Sequence, residues 1–323
     1  MLNRREFLAT TAAGAVLAAL PFSGAFAQDA QQLSLFVPAA PGGGWDQTAR
    51  TMDQVLRAEK LISGSQITNV GGAGGTVGLP QFVSQWNGKG NSLMVAGMVM
   101  VGAIIANKSA NTLAEVTPIA RLTGEFEALV VPAASPFQTA QDFVAALKAD
   151  PTKVPVAGGS AGGSDHILFG LIAKTVGVPA TSLSYVPFAG GGEALAALLG
   201  NQVAAGISGY GEFAEQVKAG ALRLLAISAD VRQDGIDAPT MKEAGIDVEL
   251  FNWRGCFAPP GVSDADKAAM ITLVENMAKS ASWADECKKR NWTQILLTGD
   301  EYKKFLDEDT ARITAILKDL GLA

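Results

Sequence analysis

The chain has 323 residues, enough for about two domains of ordinary size. Apolar residues make up 48% and charged residues 17%, a balance that builds a core and excludes a disordered chain, while 36 glycines without a three-residue period exclude collagen. With 25 Lys+Arg against 31 Asp+Glu the net charge is -6 and no basic stripe stands out, which argues against nucleic acid as a partner; a single histidine and two cysteines leave too few ligands for a zinc site.

Residues 1–27 read as an export signal. Arg4-Arg5-Glu6-Phe7-Leu8 is a twin-arginine pattern ahead of an apolar run over 8–22, and Ala25-Phe26-Ala27 supplies a small-x-small cleavage site. The apolar run falls short of the ~20 residues that span a bilayer. The mature chain is therefore expected in the periplasm.

Short apolar stretches then alternate with helical patterns. Strands are predicted over 33–37, 65–70, 93–96, 126–131, 154–157, 183–186, 204–208 and 222–227. Helices are predicted over 48–58, from 76 onward, and over 140–149, 165–175, 193–199, 212–219, 264–280 and 300–320, with Thr139 as a cap. The run 93–106 carries Gly97 and Gly102 and reads as a buried strand passing into a helix. Such alternation predicts an α/β protein with mostly parallel sheets flanked by helices.

Glycine clusters at 42–44, 71–75, 158–163 and 190–192 each fall between a predicted strand and helix. Glycine there permits a tight turn. It also lets backbone N–H groups approach a ligand at the carboxyl ends of the strands, where helix N-termini add unpaired donors and a positive dipole end. An acidic protein can hold an anion this way without a basic pocket.

Catalytic patterns are sparse. Gly158-Gly159-Ser160-Ala161-Gly162 fits G-x-S-x-G, so a serine hydrolase using Ser160 is the alternative of another class. That fold brings its histidine from far downstream, whereas the sole histidine, His166, lies in the same turn and helix. Neither a dinucleotide fingerprint nor a phosphate-binding loop of the G-x-x-x-x-G-K type is present, and no cofactor is implied.

The motifs Pro41-Gly42-Gly43-Gly44-Trp45-Asp46 with Ala49-Arg50, Gly72-Ala73-Gly74-Gly75-Thr76, Thr117-Pro118-Ile119-Ala120-Arg121-Leu122, Gly159-Ser160 with Asp165-His166, Gly190-Gly191-Gly192-Glu193, Ser208-Gly209-Tyr210-Gly211-Glu212 and Trp253-Arg254-Gly255 with Ala258-Pro259-Pro260-Gly261 cover the mature chain. In this order they resemble the periplasmic solute receptors of tripartite tricarboxylate transporters (Bug-type receptors). The stretch 42–50 is similar to the tricarboxylate-binding branch.

The resemblance implies a two-lobed, type II periplasmic-binding-protein (Venus flytrap) fold. One lobe is expected over 28–125 plus 227–323 and the other over 126–226, with the ligand cleft between them. It implies a receptor, not an enzyme, that captures citrate or a related tricarboxylate, acts as a monomer and delivers its ligand to membrane permease subunits. A dicarboxylate, an aromatic acid or an acidic amino acid is the alternative ligand. Carried onto this chain, the ligand-binding residues are Ala40, Gly43, Trp45, Asp46, Gly74, Gly75 and Thr76 from the first lobe, with Ser160, Ser164, Asp165, His166, Gly191 and Ser208 from the second. Asp46 and Asp165 each open a helix and read as organisers of their loops. Arg254 reads as an ion-pair partner in a crossing segment. Cys256 and Cys287 form an even pair in an exported chain, so the compartment permits a disulfide between them.

Overall fold

The computed structural model describes residues 32–323; the export signal over 1–27 lies outside them. The strands are β1 (Gln32–Val37), β2 (Gly64–Asn69), β3 (Ser92–Gly97), β4 (Thr117–Pro132), β5 (Val156–Gly158), β6 (Tyr185–Pro187), β7 (Ala205–Gly209), β8 (Leu222–Ile227), β9 (Phe251–Ala258) and β10 (Thr293–Thr298). The helices are α1 (Gly44–Ala58), α2 (Gly78–Gln85), α3 (Met98–Ala106), α4 (Ala140–Ala149), α5 (Ser164–Thr175), α6 (Gly191–Leu199), α7 (Tyr210–Lys218), α8 (Asp264–Ala278), α9 (Ala281–Arg290) and α10 (Gly299–Asp319).

Local chemistry accounts for most of these boundaries. Every residue of β3 is buried, as its unbroken apolar run requires, and α3 follows directly. Thr139 caps α4 in a reciprocal capping box with Asp142. Ser263 and Ser280 cap α8 and α9 through side-chain oxygens. Along α10, Tyr302, Leu306, Ile313 and Leu317 recur at helical spacing and form its buried stripe.

The sheet is mixed. Its strand order is β2-β1-β3-β9-β4-β7-β5-β6, with β8 and β10 also paired to β4. The expectation of parallel pairing holds for β2-β1-β3 and for β6-β5-β7. It gives way in the middle, where β9 runs antiparallel to β3 and β4, and β4 runs antiparallel to β7, β8 and β10. The reason is β4. At 16 residues and ~3.3 Å per residue it is about 50 Å long. Residues 117–126 pair with β9, and residues 127–132 pair with β7 and β8. One strand thus belongs to both ends of the sheet and must meet its partners in opposite sense.

Three expectations need correction. The strand predicted over 126–131 is only the second half of β4, because Arg121, Thr123, Gly124 and Glu125 break the apolar run that marks a strand. Strands β9 and β10 and helix α9 are additional elements. The disulfide that the compartment permits between Cys256 and Cys287 is absent: both are free, buried thiols. Cys256 lies on β9, flanked by Val95 of β3 and Ala120 of β4, whereas α9, which carries Cys287, packs against α1 and β10.

Candidate functional site

A narrow cleft opens where β4 passes from one set of partners to the other. Its cavity holds about 60 Å³. One wall is Gly43, Gly44 and Trp45 at the start of α1, with Gly74. The facing wall is Gly159, Ser160 and Asp165 at the start of α5, with Gly190 and Gly191 at the start of α6. Ser208 and Glu212 of β7 and α7, and Asn252 and Arg254 of β9, complete it.

Helix N-termini dominate this geometry. Helices α1, α5, α6 and α7 start after Gly43, Gly163, Gly190 and Gly209, and none of these glycines can supply a side-chain cap. Their first-turn amides therefore remain available as donors, in contrast to the capped α4, α8 and α9. A Cβ placed on Gly43 would lie 3.9 Å from Gly190 Cα, so the two walls approach backbone to backbone. A hydrogen bond from Gly74 N to Ser160 Oγ crosses between them at 2.5 Å. Gly74 and Gly75 have φ of 63° and 89°, a left-handed turn that brings the Gly74 amide to the cleft.

Carboxylates brace the loops from within. Asp46 accepts from Gly42 N at 2.9 Å, Arg50 Nε at 2.8 Å and Asn69 Nδ2 at 3.0 Å. Burial opposes ionisation of Asp46, yet the hydrogen bonds from Arg50, Gly42 and Asn69 prevail and hold its carboxyl below the usual range. Asp165 accepts from Gly159 N and from Ser164 Oγ, and Glu193 accepts from Ala189 N. Each of these acidic residues reaches back to an amide of the loop before its own helix.

The floor is polar and buried. Glu125 and Glu127 alternate along β4, so both project from one face of the sheet, and Asn252 and Arg254 of β9 stand opposite Glu125 and Thr123 on that face. The Arg254 guanidinium donates to Glu125 through two nitrogens, at 2.6 and 3.1 Å, and lies 3.8 Å from Glu212. Ser208 Oγ donates to Glu212 at 2.8 Å. Burial pushes Glu212 up to about 7, against the pull of Arg254. Burial and the neighbouring Asp165 drive Glu127 well above the carboxylate range, and both of its oxygens lack partners, as does Asn252 Oδ1.

Of the residues singled out from sequence, Gly43, Trp45, Gly74, Ser160, Asp165, Gly191 and Ser208 line the cavity together. Ala40, Asp46, Gly75, Thr76, Ser164 and His166 lie outside its lining. Gly75 packs under Trp45 and Met100, and Thr76 Oγ1 donates to Ala73 O. His166 Nδ1 accepts from Gly162 N, and its ring stacks on Tyr185 at 4.1 Å. Burial lowers His166 to about 4, so it is neutral at ordinary pH. Ser160 and His166 thus bind different loop amides and do not form a nucleophile–base pair. Glu212 and Asn252 are cleft residues that sequence reasoning missed. Glu212 belongs to one of the quoted glycine motifs; Asn252 carried no signal beyond its place beside Trp253-Arg254-Gly255.

Known proteins share this architecture. The periplasmic binding protein BugD superposes with a TM-score of 0.82 at 20% identity, covering 90% of this chain and 98% of BugD. MatC from Rhodopseudomonas palustris, solved with bound malate, gives 0.76 at 23% identity over 89% of this chain and 99% of MatC. Fold and cleft together define a periplasmic-binding-protein architecture of two lobes. In sequence, BugT of Bordetella pertussis is 24% identical over 298 residues, 90% of each chain. The chain belongs to the tripartite tricarboxylate transporter receptor family, whose sequence model matches residues 48–322. Members are periplasmic solute-binding receptors that serve transporter permeases, and no helix among the described residues is long and apolar enough to cross a membrane.

Proposed function

We propose that the chain is exported under the signal over 1–27, captures a small carboxylate in the cleft and presents it to membrane permease subunits. Citrate or a related tricarboxylate is the first ligand class, on the motif at 42–50. The observation that carries this reading is the convergence of four glycine-started helix N-termini on one cleft. Each offers amide donors and a positive dipole end, so carboxylates are held without a free cation. The lobes comprise 28–125 plus 227–323 and 126–226, with β4 crossing between them. Ligand sites usually measure ~300–1,000 Å³, so a cleft of about 60 Å³ must widen to admit a ligand and close around it.

A dicarboxylate is the second reading, favoured by malate in the similarly folded MatC. A thermal-shift panel of citrate, malate, adipate, benzoate, aspartate and glutamate separates the two. A ligand at 100 times its dissociation constant adds about 2.7 kcal/mol of stability. Citrate giving the largest shift supports the tricarboxylate reading, malate or adipate the dicarboxylate one. No shift with any organic acid overturns carboxylate capture. Labelling of Ser160 by a serine-reactive phosphonate would favour the hydrolase instead.

A further inference from the structure

The cleft offers anion-binding amides, yet acidic side chains outnumber basic ones on its floor. Glu125, Glu127, Asp165 and Glu212 gather around a single cation, Arg254, all five nearly or fully buried. Arg254 already spends its fork on Glu125. Among these carboxylates, Glu212 stands where a ligand would be held. Its carboxyl lies against the first residues of two helices from opposite walls: a Cβ on Gly44 would overlap the Arg254 guanidinium and come within 2.7 Å of Glu212 Oε1, and one on Gly191 would overlap Oε2. A ligand carboxylate bound by those first-turn amides is thereby brought beside Glu212 and beside Arg254, whose guanidinium is already engaged by Glu125. Two carboxylates at such a distance cannot both stay ionised in a site screened from water. Independently, Asn252 lines the same cavity with a buried Oδ1 that has no donor, so the floor carries an unmet acceptor besides its carboxylates.

We propose that Glu212 is a specificity-determining residue that receives the ligand carboxylate as a neutral acid, so that ligand capture takes up a proton. The inference rests on the carboxylate reading above. The proton comes from solvent and forms the O–H bond on Glu212; that hydrogen then points to the ligand oxygen, and Ser208 continues to donate to Oε2. An ionised Glu212 instead competes with the ligand for the amides of α1 and α6.

The groups facing Glu212 support this assignment. From β4 come Glu125 and Glu127, from α5 Asp165, and from β9 Arg254. Gly44 and Gly191 bring no charge from α1 and α6, whose acids Asp46 and Glu193 are turned to their own loops. On the far side, Arg290 is directed to Glu286 at 3.5 Å. Burial raises Glu212 to about 7, which places its change of state in an accessible range. Binding competence scales with the neutral fraction.

Calorimetric titration with malate and adipate, ionised throughout pH 6–8, tests this in buffers of different ionisation heat. Affinity is expected to fall about tenfold from pH 6 to pH 8, with about 0.9 proton taken up per ligand at pH 8. Glu212→Gln, which keeps a neutral donor, should bind with a flat pH profile and take up no proton. Wild-type binding without proton uptake overturns the proposal, as does an unchanged pH profile in Glu212→Gln. If that variant does not fold, the wild-type proton count decides alone. Absence of binding by every acid of the thermal-shift panel at every pH overturns the carboxylate reading itself, and this inference with it.

Discussion

Among the described residues Arg254 is the sole cation on the cleft floor, and its removal gives the sharpest energetic consequence. It is 3% exposed and Glu125 2% exposed. Cutting it back strands Glu125, leaves Glu212 without its opposite charge and removes the guanidinium 5.6 Å from the Trp292 ring. Breaking a buried pair from one side costs ~3–5 kcal/mol, because the remaining charge cannot reach water. At ~2–4 °C per kcal/mol for a domain of comparable size, Arg254→Met should lower Tm by roughly 6–20 °C. Replacing both partners removes the stranded charge, so Glu125→Gln with Arg254→Met should recover at least ~1 kcal/mol of the loss. Urea unfolding followed by circular dichroism, on both singles and the double, measures each leg of this cycle. Arg254→Met costing under ~1 kcal/mol, or a double variant as unstable as the sum of its singles, would refute the assignment of this pair as the buried brace between β4 and β9.

Other expectations divide binding from folding. Gly43→Val should weaken malate or citrate binding at least about tenfold, comparable to one charged hydrogen bond, by filling the gap toward Gly190, while stability changes by no more than ~1 kcal/mol. Gly75→Val should instead lose about 1–3 kcal/mol of stability, since φ is 89° and its Cβ meets Met100 and Trp45; calorimetry and urea unfolding on both variants check the contrast. Thiol counting with a disulfide-specific control should find two free cysteines that react only on unfolding, because burial pushes both thiols up to about 12; one bonded pair would contradict this. Glu212, raised by burial from 4.5 to about 7, contributes stability fully present below pH 4.5 and lost as pH rises through 7, on the order of 3 kcal/mol. Asp46 acts oppositely, its contribution present above 3.8 and lost as pH falls below its depressed value, so urea midpoints should be highest in the mildly acidic range and decline toward pH 8.

The legible parts of the sequence are those with local causes. The capping box at Thr139 and Asp142 marks the start of α4 to the residue, and the apolar stretch over 93–106 reads correctly as strand then helix. Glycine clusters mark the helix starts at the cleft because amide access is a backbone property that only such composition records. What escaped depends on pairing across long sequence distances. Glu125 and Glu127 interrupt an apolar strand, and their placement makes sense only once Arg254 is brought 129 residues along the chain to meet Glu125. Likewise β10 has little burial of its own; it is a strand because β4 offers an edge. His166 and Gly75 belong to quoted motifs but act one layer behind the cavity, holding loops whose glycines line it. Motif membership therefore points to this cleft, while the local backbone and side-chain directions decide which members line it.

Amide hydrogen exchange, with and without saturating citrate or malate, tests most directly whether amides of both walls hold the ligand. A carboxylate seated in the cleft should slow exchange together at Gly44 and Trp45 of α1 and at the starts of α5 and α6 around Ser164 and Gly191. Protection confined to one wall, or appearing only at a surface away from these helix starts, would contradict capture between the lobes.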